Sequence, residues 1–351
     1  MKQTPSGRTL RGSMLLHALL AAAMLIATAS CSRAPEWRVC EGAVWHTSYR
    51  IVYAAPVSLD DSITAMFGTI ERSLSPFNPL SLISRINRGE TCRTDTLIDR
   101  VFEISRHVNR ESHGRFDPTV SPLVDLWGFG TDRSARQRAE ADTAGSFAVA
   151  QWQIDSALAI VGIGDCRISN SEITRKHPAT SFNFSAVTKG YACDLIGEML
   201  RRNGAANYMV EIGGEIALSG RNPDRATWRI QVDTPDPSSP MSHNSLKVIT
   251  LTDCGIATSG NYRNFHDTSR YGRIGHTIDP VTGRPATTDI LSATVIAPTA
   301  ALADAWATAC MASTADSAIA IISRQPRVEC LLVTAADTTM RIIATPQFPD
   351  K

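Results

Sequence analysis

Asp304 and Thr308 lie four residues apart in Leu302-Ala303-Asp304-Ala305-Trp306-Ala307-Thr308-Ala309. On a helix such positions share a face, so a carboxylate and a hydroxyl emerge together from a wall of Ala, Leu and Trp. Two oxygens so placed suit a hard cation such as Mg2+, which recruits phosphates for much of its remaining shell. The same spacing also fits an Asp near a helix start and a Thr bonding back to its own helix. His276 is a second chemical group, standing three residues before Asp279 at the entrance of the turn Asp279-Pro280-Val281-Thr282-Gly283. Histidine is the side chain best placed to exchange protons near neutral pH; a satisfied histidine in a structural turn is the other reading. Lys189 is a third, in Ser185-Ala186-Val187-Thr188-Lys189-Gly190-Tyr191. That run opens a helix, whose free amides and partial positive charge, joined by the lysine's own charge, favour a phosphate. It lacks the glycine spacing of a P-loop, and a solvated lysine is the alternative. Asn183, on the extended run leading in, is placed to bond a base or ring edge.

Two further segments bend the backbone in unusual ways. Gly114-Arg115-Phe116-Asp117-Pro118-Thr119-Val120 continues through Ser121-Pro122-Leu123 to Leu126-Trp127-Gly128-Phe129-Gly130. Prolines, glycines and aromatics in such density fix an irregular loop, either to line a pocket for a flat ligand or to be tied down by Trp127. Glu211-Ile212-Gly213-Gly214-Glu215 joins two strands, and its paired glycines allow a close backbone approach.

These segments must be carried by elements far apart in the chain. Apolar periodicity predicts helices over 59–74, 97–111, 186–202, 302–312 and 315–323. Strands are expected over 44–53, 208–212, 216–219, 228–232, 246–251, 291–297, 329–334 and 340–344. Residues 131–150 are polar and Ala-rich, a helix or surface excursion. Helices and strands mixed in this way predict an α+β fold, one large unit in which sheets gather sites from distant segments.

The chain has 351 residues, 43% of them apolar and 20% charged, with a formal net charge of +1. No basic excess marks it for nucleic acid. Lys2, Arg8 and Arg11 precede an apolar run, Met14 to Ala27, and Thr28-Ala29-Ser30 then lead to Cys31. That order resembles a bacterial lipoprotein signal, with Thr28 where leucine is usual. It implies removal of residues 1–30 and lipidation of Cys31; a plain secretory leader is the alternative. Residues 31–43 are expected as a tether, with the catalytic unit in 44–351 and the protein lipid-anchored at a bacterial membrane, facing the periplasm or exterior. The seven cysteines after Cys31 contain no C-x-x-C pair, so neither a zinc site nor a redox motif is indicated.

Taken in order, the segments resemble the ApbE family of FAD:protein FMN transferases. The resemblance runs from about Trp45 to Leu332. It rests on Phe77-Asn78-Pro79-Leu80-Ser81, Ile83-Ser84-Arg85-Ile86-Asn87, Phe116 through Gly130, Ala186 through Tyr191, Ile212-Gly213-Gly214, Thr258-Ser259-Gly260-Asn261-Tyr262, His276 through Gly283, and Ala303-Asp304-Ala305 with Thr308. It implies an ApbE-type, T-fold-like arrangement of mixed sheets with flanking helices, in two interleaved lobes. The implied activity splits FAD, moves its FMN half to a Thr or Ser hydroxyl of an acceptor flavoprotein, and releases AMP. Implied acceptors are subunits of membrane or extracytoplasmic redox complexes. By the same resemblance Asp304, Thr308 and the carbonyl of Ala186 match Mg2+ ligands, and His276 matches the general base. Trp45, Phe77, Phe116, Asp117, Pro118, Asn183, Lys189, Thr277 and Ala307 match positions that hold FAD. The sequence departs from the family in Phe77 for a frequent Tyr, Trp45-His46-Thr47 for Met-Gly-Thr, and Asn183 for a frequent Asp. A lipid-anchored FAD carrier and an FAD pyrophosphatase giving FMN and AMP are the competing readings.

Overall fold

The computed structural model describes residues 34–142, 147–236, 244–261, 264–336 and 339–349. Cys31 and the leader 1–30 lie outside the described residues, as does Tyr262. The described chain begins with strands β1 (Glu36–Val44) and β2 (Thr47–Ala55), then helices α1 (Asp60–Leu74), α2 (Leu82–Asn87), α3 (Thr96–Glu111), α4 (Ser121–Leu126), α5 (Arg133–Glu140) and α6 (Gln151–Leu158). A short hairpin, β3 (Arg167–Ser169) and β4 (Glu172–Thr174), precedes α7 (Ser185–Arg202). Strands β5 (Tyr208–Ile212), β6 (Glu215–Ser219), β7 (Trp228–Asp233), β8 (Ser245–Leu251), β9 (Gly255–Gly260), β10 (Phe265–Thr268), β11 (Gly272–Gly275) and β12 (Ile290–Ala297) follow. The chain closes with α8 (Ala300–Met311), α9 (Ala315–Ile322), β13 (Glu329–Ala336) and β14 (Thr339–Ala344).

One eight-stranded antiparallel sheet runs in chain order, β1-β2-β5-β6-β9-β12-β13-β14, so the first and last strands lie at its opposite edges. Successive side chains on a strand point to opposite faces, and here the two faces differ in kind. Ile51, Tyr53, Val210, Ala217, Ala257, Ala293, Val295, Cys330 and Leu332 enter the core beneath the helices. Val52, Ile216, Leu218, Ile256, Ile296, Leu331 and Val333 enter a second core covered by the β7–β8 hairpin. The mixed α+β architecture expected from the sequence is therefore present, with the helices to one side.

Ala217, Ala257, Ala293 and Ala297 are small residues on the helical side, and α8 lies close against them. Half of its twelve residues are alanine and it is buried nearly all round, as expected for a helix without a polar face. The tightest contact is at its first residue. A Cβ added to Gly190 would sit 2.2 Å from the Ala300 carbonyl oxygen, and one on Gly255 would sit 2.1 Å from the Ala300 nitrogen. The amides freed at the start of α8 are satisfied from two elements. Asp194 of α7 accepts from Ala300 and Ala301, each at 2.9 Å, and the Thr299 side chain accepts from Leu302 at 3.3 Å.

Residues 36–43 correct an expectation. Rather than belonging to a tether, they form β1, paired residue for residue with β2 from Glu36↔Ala55 to Val44↔Thr47. Most of β1 is exposed or half-buried. An edge strand is held by backbone pairing along one side, so it needs no apolar alternation for the sequence to reveal. The central strand β9 also escaped detection, because its run Gly-Ile-Ala-Thr-Ser-Gly offers few large apolar residues.

Candidate active site

Asp304, in the middle of α8, is buried, with 3% of its surface exposed. Its Oδ2 accepts a hydrogen bond from the Gly190 amide at 3.1 Å. By helical i→i−4 spacing that same amide faces the Ala186 carbonyl, so a carbonyl and a carboxylate border one N–H group. Thr308 stands half-buried one turn beyond Asp304. Thr188 on α7 donates its hydroxyl to the Phe184 carbonyl at 2.8 Å, whereas Thr308 makes no such bond among the described residues. That favours a ligand-facing hydroxyl over one bonded back to its helix.

Lys189 forms an ion pair with Glu215, the first residue of β6. Burial works to lower the Lys189 pKa, but the charges of Glu215 and Asp304 outweigh it and hold the ammonium above its ordinary value. Burial raises Glu215 to about 7, with Lys189 opposing and Asp304 adding to the rise. Asp304 is likewise raised by burial, against the pull of Lys189 and the Gly190 amide. One ammonium and two carboxylates therefore occupy a single buried cluster.

His276 follows β11 and is half-buried. Its Nδ1 lies 3.2 Å from the Asn264 carbonyl. A carbonyl can only accept, so Nδ1 carries the proton and Nε2 keeps the lone pair. The Phe129 ring meets the imidazole edge-on at 6.4 Å and itself stacks at 4.2 Å on His266, whose Nε2 is 3.1 Å from the Gly128 carbonyl. Burial and the Lys189 charge lower the His276 pKa, against a raising contribution from Asn264. The Lys189 charge thus bears on both His276 and Asp304.

The turn that follows His276 is clamped from three sides. Arg115 Nη1 donates to Asp279 Oδ2 at 2.9 Å and lies 3.4 Å from the Ala312 carbonyl just past α8. Trp127 Nε1 donates to the Gly283 carbonyl at 2.8 Å. Thr277 donates its hydroxyl to Asn261 Oδ1 at 2.8 Å.

The positions matched to FAD contacts divide by placement. Phe77 projects from the loop between α1 and α2 with 61% of its surface exposed. Trp45, in the β1–β2 turn, meets Phe67 edge-on at 5.6 Å. Phe116 and Ala307 are packed in the core. Asp117 is occupied by frame contacts: it accepts from Thr119 (amide 2.8 Å, hydroxyl 2.6 Å), the Ile163 amide at 3.0 Å and the Asn109 amide group at 3.2 Å. The Pro118 carbonyl accepts from the Asn183 amide at 2.7 Å. The Asn183 side chain in turn accepts from the Ser185 amide at 2.9 Å, so that amide at the start of α7 is already engaged.

Residues 45–332 match the ApbE family. The chain belongs to that family. Among curated ApbE relatives, a FAD:protein FMN transferase of Vibrio cholerae is 30% identical over 339 residues, covering 94% of this chain and 97% of the relative. One of Escherichia coli K12 is 28% identical, covering 94% and 95%. The solved flavin transferase ApbE of Vibrio cholerae superposes with a TM-score of 0.76 at 29% identity, covering 90% of this chain and 98% of that one. The apo flavinyl transferase ApbE of Pseudomonas stutzeri gives 0.76 at 25% identity, covering 89% and 96%.

Three residues of this ApbE chain matter to the site without having been singled out from the sequence. Glu215 holds Lys189, Asp194 caps α8, and Arg115 links the loop at 114–118 to the turn at 276–283. The sequence carried a signal for each. Glu215 is a charge opening an otherwise apolar strand. Asp194 falls four residues after Gly190 and so shares its helix face. Arg115 lies inside the glycine- and proline-rich loop.

Proposed function

We propose that the chain is an FAD:protein FMN transferase that works with a divalent cation, moving FMN from FAD to a Thr or Ser hydroxyl of an acceptor flavoprotein and releasing AMP. The observation that carries this reading is the hydrogen bond from the Gly190 amide to Asp304, which sets that carboxylate beside the Ala186 carbonyl and next to Lys189 in the chain. Among the described residues no three His, Cys, Asp or Glu side chains form a metal-holding group. The donor set here is instead one carboxylate, one hydroxyl and one backbone carbonyl. This suits Mg2+, which fills its shell with substrate phosphate and water. Asp304, Thr308 and the Ala186 carbonyl would hold the ion, and its charge would offset that developing on the diphosphate. Lys189 adds a positive charge beside the same oxygens.

Phosphoryl transfer depends mainly on positioning and charge neutralisation. His276 Nε2 takes the proton of the acceptor hydroxyl as that oxygen bonds to the FMN phosphorus. The bond from this phosphorus to the bridging oxygen breaks, and the oxygen leaves with AMP. Phe77, exposed on its loop, offers a ring face for a flat ligand. A lipid on Cys31 would hold the enzyme at the bacterial membrane, within reach of acceptors outside the cytoplasm.

Incubation with FAD, Mg2+ and an acceptor domain should yield a covalently fluorescent acceptor, and Asp304→Ala should abolish it. Free FMN as the product would mean hydrolysis, and intact bound FAD would mean a carrier; either overturns the transferase reading.

A further inference from the structure

Glu215 is 3% exposed, and its two oxygens are treated differently. Oε1 pairs with Lys189, while Oε2 is buried without a hydrogen-bond partner. The only other such atom among the described residues is the hydroxyl of Ser105, neutral and on α3. A buried carboxylate oxygen left without a donor is far costlier than a hydroxyl in the same position. The fold nevertheless fixes it in place. Glu215 follows the Gly213-Gly214 turn, both of whose residues have positive φ, and its carbonyl accepts from the Cys193 thiol at 3.2 Å. Glu215 is pinned on both sides, with Lys189 on one of its oxygens only.

Asp304 is the neighbouring carboxylate: Lys189, which pairs with Glu215, directly precedes Gly190, whose amide donates to Asp304. Two carboxylates thus share one ammonium, and a cation bound beside them favours the ionised form of both. Mg2+ dehydrates reluctantly and retains several waters, and metal-bound water is a strong donor. We propose that Glu215 is an outer anchor of the cation site, accepting through Oε2 a hydrogen bond from a water held by the metal at Asp304. This rests on the cation site described above. It makes Glu215 a positioning residue: it fixes Lys189 with one oxygen and the hydrated ion with the other.

Binding of Mn2+ to the full chain, followed by electron paramagnetic resonance with ADP present as the diphosphate, tests this apart from turnover. Glu215→Gln should raise the Mn2+ dissociation constant about 10-fold, the size typical of losing an outer partner of a metal site. Glu215→Asp keeps the charge but withdraws it by one methylene, and should weaken binding similarly; it decides the matter should the Gln variant fail to fold. Asp304→Asn should abolish the bound signal. Wild-type affinity in both Glu215 variants, with binding lost in Asp304→Asn, would overturn the inference and leave Glu215 as a structural partner of Lys189. Unchanged affinity in Asp304→Asn would instead remove the cation site itself and this inference with it.

Discussion

The proposed base must be neutral at the working pH, and burial and the Lys189 charge both act to hold the His276 pKa down. Both effects penalise the imidazolium, so the rising limb of transfer rate against pH should have its midpoint below the ordinary histidine value of 6.5. Lys189→Met removes one of the two depressing influences. Measured as single-turnover flavinylation at saturating FAD, its midpoint should move upward even as the plateau rate drops about 100-fold through loss of a charge near the diphosphate. An unchanged midpoint would separate the lysine from the base. At this scale the sequence was informative about what reacts and less so about what supports it. Asp304, Thr308 and His276 stand out because a polar group in an apolar run, or a histidine beside a rigid turn, is unusual locally. Asp117 looks like a ligand on the same logic, yet four donors from three segments occupy it. Nothing local in the sequence distinguishes a carboxylate that braces a frame from one that faces a ligand.

Among the elements, α8 carries the greatest consequence, because the placement of Asp304 is no better than the seating of the helix that bears it. Asp194 supplies that seat by receiving two amides, and burial raises its pKa to about 7 from an ordinary 3.8. Between those values the native protein binds more protons than the unfolded chain, so stability falls as pH rises towards 7 and levels off above it. Its part in acidification from pH 8 to 6 is a gain of roughly 1 kcal/mol. Asp194→Asn should remove that part of the slope in urea titrations at the two pH values; an unaltered slope would show that the carboxylate titrates normally. The long helices were legible from their apolar periodicity, and α7 and α8 begin within about two residues of where it placed them. The hairpin β10–β11 was not, since its Phe-His-Asp-Thr and Gly-Arg-Ile-Gly runs are too short and polar to show a strand period.

At the scale of the molecule, the unexpected β1 is an edge strand whose nine backbone partners lie in β2. A chain beginning at Trp45 keeps every residue of the proposed site but loses that pairing. Truncation should cost on the order of 2–4 kcal/mol and bare the edge of β2, which invites self-association. Urea unfolding and size-exclusion chromatography check both; a fully stable, monomeric truncation would restore the tether. The α+β class was predictable from the mixture of periods, but strand order was not, because which strands lie side by side depends on long-range packing that no local pattern encodes. That order also governs synthesis. The base, the ammonium and the carboxylate wall come from the middle and late chain, while β13 and β14 pair only after the carboxylate helix has been made. A nascent polypeptide that stops at β9 lacks the proposed diphosphate wall, so under that proposal flavin cannot template the folding of the strands made before α8.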